Sequence, residues 1–176
     1  MAGSVDCHAK IWEHIGRLIS GPYISMESHP IEKALSIALK AHRGQTDKYG
    51  QPYVLHPLRL MHRFRDPELQ TIAILHDVVE DSDWTLDQLK KEGFGERIVQ
   101  AVDALTRRDE ESYASLIDRA ADNPLARQVK LADLEDNMDI RRMKTVGDLE
   151  RERLNRYRCA YEKLQNLNSD TQIQST

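Results

Sequence analysis

Apolar residues recur along this chain at the three-and-four spacing of helix faces, and no stretch alternates long enough to read as a strand. The spacing puts Ile11, Trp12, Ile15, Leu18 and Ile19 on one face of a helix over 10–19, which Ser20-Gly21-Pro22 ends. That face docks on the body or on a partner and carries no chemistry. From Pro30, well suited to a first helical turn, Ile31, Leu35, Ala38 and His42 form the next stripe. His42 therefore reads as a buried, hydrogen-bonded histidine on an apolar face. Arg43 to Pro52 is turn-rich and polar, a loop at the mouth of whatever the helices enclose. Tyr53-Val-Leu-His56-Pro57 then gives a short extended step into a helix, because proline favours the first helical position and keeps the preceding residue extended. His56 stands at that entrance, as a ligand or as a cap, while Leu58, Leu60, Met61 and Phe64 carry the helix inward.

After Asp66-Pro67 the pattern predicts a helix running to Asp81, with Ile72, Leu75, Val78 and Val79 covering most of its surface. His76, Asp77, Glu80 and Asp81 interrupt that apolar run. On a helix, His76, Asp77 and Glu80 reach one neighbourhood about 5–6 Å across, and buried charges need partners or a metal. Thr85-Leu-Asp-Gln88 has the form of a capping box, and Gly93-Phe-Gly95 breaks the helix it opens. Ile98, Val102 and Leu105 line a helix ending near Arg107-Arg108, whose guanidiniums are phosphate ligands or partners of the helix dipole. Tyr113, Leu116, Ile117 and Ala120 face inward from a helix over 111–122. Pro124 starts another, in which Val129, Asp133 and Asn137 share a face with Lys130 adjacent. From Asp148, Leu154, Tyr157, Tyr161 and Leu164 make an apolar seam on a long charged helix, a surface for packing or for homo-oligomer formation. The organisation expected is an N-terminal extension over 1–28 with one amphipathic helix, a single domain over 29–167, and a tail over 168–176 that lacks apolar period and frays.

Composition narrows the function classes. The chain has 176 residues, 40% hydrophobic and 31% charged, which suits one soluble helix-rich domain. A net charge of −4 argues against gripping long nucleic acid, which requires many phosphates to be neutralised, but leaves small anionic ligands open. Cys7 and Cys159 are isolated, so neither a thiolate metal site nor a disulfide framework is expected, and the reading is cytoplasmic. No apolar run approaches the ~18 residues of a membrane span, and the first residues lack the order of a signal peptide.

Four segments carry a resemblance. Ala41-His-Arg-Gly-Gln45, Pro52-Tyr-Val-Leu-His56-Pro57, Leu75-His-Asp-Val-Val-Glu-Asp81 and Val129-Lys-Leu-Ala-Asp133 with Asn137 resemble the HD superfamily of metal-dependent phosphohydrolases. They are similar in particular to the Rel/SpoT hydrolase domain and the small alarmone hydrolases. The resemblance implies an all-α HD-domain helical bundle that removes pyrophosphate from the 3′ position of guanosine-3′,5′-bis(diphosphate), ppGpp, leaving GDP. It implies that His56, His76, Asp77 and Asp133 hold one divalent metal, usually Mn²⁺. It also implies that Glu80 and Asp81 handle the attacking water, and that Lys130 and Asn137 lie near the substrate. Two imidazoles and two carboxylates independently suit Mn²⁺, Fe²⁺ or Zn²⁺. The alternatives are an HD nucleotidase acting on another nucleotide and a catalytically idle nucleotide-binding module, against which Glu80-Asp81 argues. One departure stands out. The family loop commonly reads Arg-Lys-Ser before Gly-Glu-Pro-Tyr, with the Arg against the base, and this chain has Asp47-Lys48-Tyr49. An acid cannot replace a stacking guanidinium, which leaves Lys48 to meet phosphate and Tyr49 to supply an aromatic surface.

Overall fold

The computed structural model describes residues 29–173, with side chains through Leu167; the extension over 1–28 and its expected amphipathic helix lie outside the described residues. Among the described residues the architecture is all-α. Eight α-helices are present: α1 Pro30–Ala41, α2 Leu55–Met61, α3 Pro67–Leu75, α4 Leu86–Lys91, α5 Glu96–Leu105, α6 Tyr113–Asp122, α7 Pro124–Asn137 and α8 Asp148–Ile173, with a 3₁₀ turn at Ile140–Arg142. The backbone of α8 stays helical over 168–173, the segment whose composition predicts fraying. None of these helices is long and apolar enough to cross a membrane.

Helix α3 is the hub, packing on α1, α2, α5 and α7. Leu69 and Thr71 to Leu75 are all buried on it, and its starting turn is fixed by the Asp66 side chain, which accepts the Glu68 amide, with Pro67 following. Around it Leu60, Leu89, Val99, Val102, Ala126 and Val129 complete the main core. A second cluster lies across α7, where Leu134 meets Ile117 and Ala121 of α6 and Ala160 and Leu164 of α8. Tyr157 and Tyr161 join that cluster, so the seam of the long helix packs on the body of its own chain. The two cores share α7, which turns Ala126, Val129 and Ala132 to one and Leu134 to the other.

Two local expectations are corrected. Helix α3 stops at Leu75 rather than running to Asp81, and residues 76–80 follow as successive turns. The imidazole Nδ1 of His76 donates to the Ala73 carbonyl, the acceptor that the Asp77 amide would use in a continuing helix, and the Val78 amide falls back to Leu75. The step into α2 is also not extended, since Val54 is already helical and the helix begins at Leu55. Pro57 is tolerated there because amides of a first turn have no intrahelical acceptor to lose. Between α1 and α2 the loop folds back on itself, with an isolated bridge between Thr46 and Pro52 and with Gly50 at φ 79°, a left-handed turn position suited to glycine.

Candidate active site

Three helices deliver the ionisable cluster. His56 comes from the first turn of α2, His76 and Asp77 from the turn that ends α3, and Asp133 from the middle of α7. One ligand atom each from His56, His76 and Asp133 lies within 4.8 Å of the others, and all three residues are buried. His56 Nε2 is 3.1 Å from Asp133 Oδ1 and 3.7 Å from Asp77 Oδ2. His76 Nε2 is 2.9 Å from the same Asp77 oxygen. The four residues assigned to a metal from sequence are therefore brought together.

The Nδ1 atoms of both imidazoles point away from this cluster. His56 Nδ1 is 2.8 Å from Asp136 Oδ2, and His76 Nδ1 is 2.9 Å from the Ala73 carbonyl. Both partners only accept, so each Nδ1 carries a proton, and each Nε2 offers a lone pair to a cation that displaces its own proton. His76 Nε2 is fully buried without a hydrogen-bond partner, facing a carboxylate oxygen. An imidazole and a carboxylate set this close in a buried site hold either a proton or a cation between them, and the mixed N/O set suits a borderline divalent metal.

Remaining lone pairs of the carboxylates are taken from outside. Asp133 accepts from Asn137 at 2.6 Å and from Lys130 at 2.8 Å, and the Tyr53 hydroxyl donates to Asp77 at 2.5 Å. Electrostatics follow from this crowding. Burial pushes the Asp77 carboxyl up, but the charges of His76 and His56 outweigh it and hold Asp77 well below the usual carboxylate range. Asp133 is lowered in the same way, burial being outweighed by Lys130 and His56. Burial pushes His56 down, yet the hydrogen bonds of Asp133 and Asp136 raise it to about 10. Lys130 loses to burial and gains more from Asp133, so it stays charged.

A cleft of about 320 Å³ opens over Asp77 and Asp133, and Glu80, Lys130 and Asn137 line it. One oxygen of Glu80 accepts the Arg107 backbone amide at 2.9 Å. The Arg107 loop is itself held by Arg119, which binds Glu111 and the Thr106 carbonyl. Tyr113, Arg156 and Tyr157 close the far wall, and the Tyr113 hydroxyl is buried without a partner. Asp81 is not on this lining; burial and the neighbouring charge of Asp77 push its carboxyl up. Lys48 and Tyr49 line a separate cleft of about 240 Å³ with Lys144, Thr145 and Glu150. The residues assigned to substrate thus divide, Lys130 and Asn137 at the larger cleft and Lys48 and Tyr49 at the smaller.

Sequence reasoning passed over Asp136, Tyr53, Arg59 and Arg142. Asp136 was within reach, since it follows Asp133 by three residues on α7 and so falls near its face. Arg142 had no signal, because its partners Asp47 and Asp136 come from different parts of the chain.

An HD domain model matches residues 34–150, and the chain belongs to the HD-domain family. A guanosine-3′,5′-bis(diphosphate) 3′-pyrophosphohydrolase of Aquifex aeolicus is 33% identical over 138 residues, covering 72% of this chain and 19% of that protein. A GTP pyrophosphokinase of Streptomyces coelicolor is 31% identical over 159 residues, 81% of this chain and 18% of its own length. The chain spans about a fifth of the length of these curated relatives. A solved structure described as a metazoan ortholog of SpoT that hydrolyzes ppGpp and plays a role in starvation responses superposes with a TM-score of 0.65. The match is 25% identical and covers 78% of this chain and 85% of that one.

Proposed function

We propose that this protein is a Mn²⁺-dependent hydrolase that removes pyrophosphate from the 3′ position of ppGpp and leaves GDP. The observation that carries this reading is the buried Nε2 of His76, 2.9 Å from Asp77, a carboxylate that itself lines a cleft bearing Lys130, Arg107 and Arg156. The names borne by the relatives and by the solved structure supply the substrate.

His56, His76, Asp77 and Asp133 would hold the metal, which when bound supplies Lewis acidity toward a phosphate oxygen and lowers the pKa of a water. Asp136 and the Ala73 carbonyl fix the two imidazoles with their Nε2 atoms inward. Glu80 takes the proton of the attacking water with the oxygen that Arg107 does not hold. The water oxygen bonds to the phosphorus attached to the ribose 3′ oxygen, the bond to that oxygen breaks, and the 3′ oxygen leaves with a proton. Asp81, its carboxyl raised, is the neighbouring acid that shares the proton load of Glu80. Lys130, Arg107 and Arg156 counter the pyrophosphate charge, and the free Tyr113 hydroxyl has a phosphate oxygen to donate to.

The second cleft fits a substrate phosphorylated at both ends. Glu150 lines one cleft and Tyr157 the other, seven residues along α8, which separates the two by about 10 Å along the helix. Asn137 stays at the metal end, while Lys48 and Tyr49 meet the 5′ end of the nucleotide. With its cysteines isolated, the protein is assigned to the cytoplasm.

The test is to strip the protein of metal, add back Mn²⁺, Fe²⁺ or Zn²⁺, and incubate it with ppGpp beside other phosphorylated nucleotides. Mn²⁺-dependent release of pyrophosphate and GDP is expected. Release of orthophosphate from another nucleotide, with ppGpp intact, would replace the substrate and keep the site.

A further inference from the structure

Asp47, the acid that departs from the family loop, does not face a ligand. Its Oδ1 accepts the amides of Tyr49 and Gln51, each at 2.9 Å, and so folds the loop around itself. Its Oδ2 receives Arg142 Nη2 at 2.7 Å. The other arm of the same guanidinium, Nη1, reaches Asp136 Oδ2, also at 2.7 Å, and that oxygen is the partner of His56 Nδ1. Side-chain exposure is 10% at Asp47, 9% at Asp136 and 21% at Arg142, so these are ion pairs largely withdrawn from water, where geometry counts for more than at a surface. The Arg142 guanidinium also lies 5.4 Å from the centre of the Tyr49 ring.

Arg59 already grips Asp136 with two bonds of 2.7 and 2.9 Å. Arg142 is therefore not needed merely to hold that carboxylate, and what it adds is the connection to the loop. We infer that Arg142 is a positioning residue that ties the 43–52 loop, through Asp47 and Asp136, to the metal-facing imidazole of His56. A nucleotide that settles the loop then tightens the metal site, and the metal tightens the loop by the same factor. Lysine could not substitute, since an ammonium lacks the planar fork that spans two carboxylates. This inference rests on the reading of His56 as a metal ligand.

The experiment measures Mn²⁺ affinity calorimetrically, without substrate, for the parent protein, Asp47→Asn, Arg142→Lys, Arg142→Gln and the double variant Asp47→Asn with Arg142→Gln. Thermal midpoints confirm folding, and the near-isosteric Asp47→Asn keeps the test open if the arginine variants fail to fold. Asp47→Asn, which touches no ligand, is expected to weaken Mn²⁺ binding at least about threefold in the parent and not at all in the Arg142→Gln background. Arg142→Lys should weaken it as Arg142→Gln does. Mn²⁺ affinity indifferent to Asp47→Asn would overturn the tie and leave the metal site standing. A parent protein that binds no Mn²⁺ would overturn the site reading itself.

Discussion

The larger cleft, with Asp77 and Asp133 on its lining and His56 and His76 behind them, is set against helices packed on the main core, whereas the smaller cleft is lined by the 43–52 loop, the segment after the 3₁₀ turn and Glu150 of α8, with Asp47 and Arg142 pinning the loop by an ion pair. Beside the first stand Leu75, Val78, Val129, Ala132 and Leu134, all buried. Around the second, Lys48, Lys144 and Thr145 are exposed, and Val146 and Leu149 nearby put apolar side chains in water. On the proposed function, the difference follows the tolerance of each task. Metal ligation fails with displacements of a few tenths of an ångström and needs ligands locked by packing, while a nucleotide held by charge and a ring face accepts a looser support.

Removing a ligand should break the first wall most completely. In Asp133→Ala, Lys130 is left buried without its carboxylate, and both His56 and Asn137 lose a partner. Mn²⁺ affinity is expected to fall by at least about 100-fold, with turnover below detection; calorimetric titration and product release would check both. Glu80→Gln separates chemistry from ligation. The amide can still accept from Arg107 but cannot take a proton, so kcat should fall by about 10² to 10⁴ while Mn²⁺ affinity is unchanged. Normal turnover in Glu80→Gln would remove it as the base.

The raised His56 also predicts opposite pH responses for the metal-free and metal-loaded protein. Without metal, its partners Asp133 and Asp136 hold it at about 10 against burial, above its unfolded value of about 6.5. That stabilisation is fully present below about pH 6.5 and is lost as pH rises through 10. A metal must displace the His56 proton, so Mn²⁺ affinity should rise with pH over the same range, by up to about tenfold per unit. Thermal midpoints of the two forms from pH 6 to 9 should therefore diverge, the metal-free one falling relative to the loaded one. Parallel curves would show that His56 does not exchange its proton for the ion.

Helical periodicity made the scaffold readable because its faces repeat, and it put Asp133 and Asn137 on one face of α7. The stripe of Ile98, Val102 and Leu105 is buried as the spacing predicts, and so is His42 at the C-terminal cap of α1. The His76-Asp77 pair was legible as charge in an apolar run, but its local structure was not. Nothing in the residue pattern shows that the His76 side chain takes the Ala73 carbonyl and that the helix ends there. Asp47 was misleading for a related reason. Its charge was plain in sequence, but its partner Arg142 stands 95 residues away, so an acid that reads as exposed to ligand is instead consumed within the fold.

The mildest break concerns the smaller cleft, which Lys48 and Tyr49 line. The Lys48 ammonium lies 5.1 Å from the Tyr49 ring centre, and partial desolvation together with repulsion from Arg153 and Arg142 lowers its pKa. Like charges gathered in one place are relieved by an anion, so a 5′ phosphate at this cleft would be drawn by Lys48 without any role for it in bond cleavage. Lys48→Ala should then raise KM for ppGpp about tenfold and leave kcat within about twofold, since the interaction it removes is the same in ground and transition states. The effect should shrink with added salt, because Lys48 is exposed, whereas the loss in Glu80→Gln should not. A fall in kcat with KM unchanged would instead place Lys48 in the chemistry and erase the division of labour between the two walls.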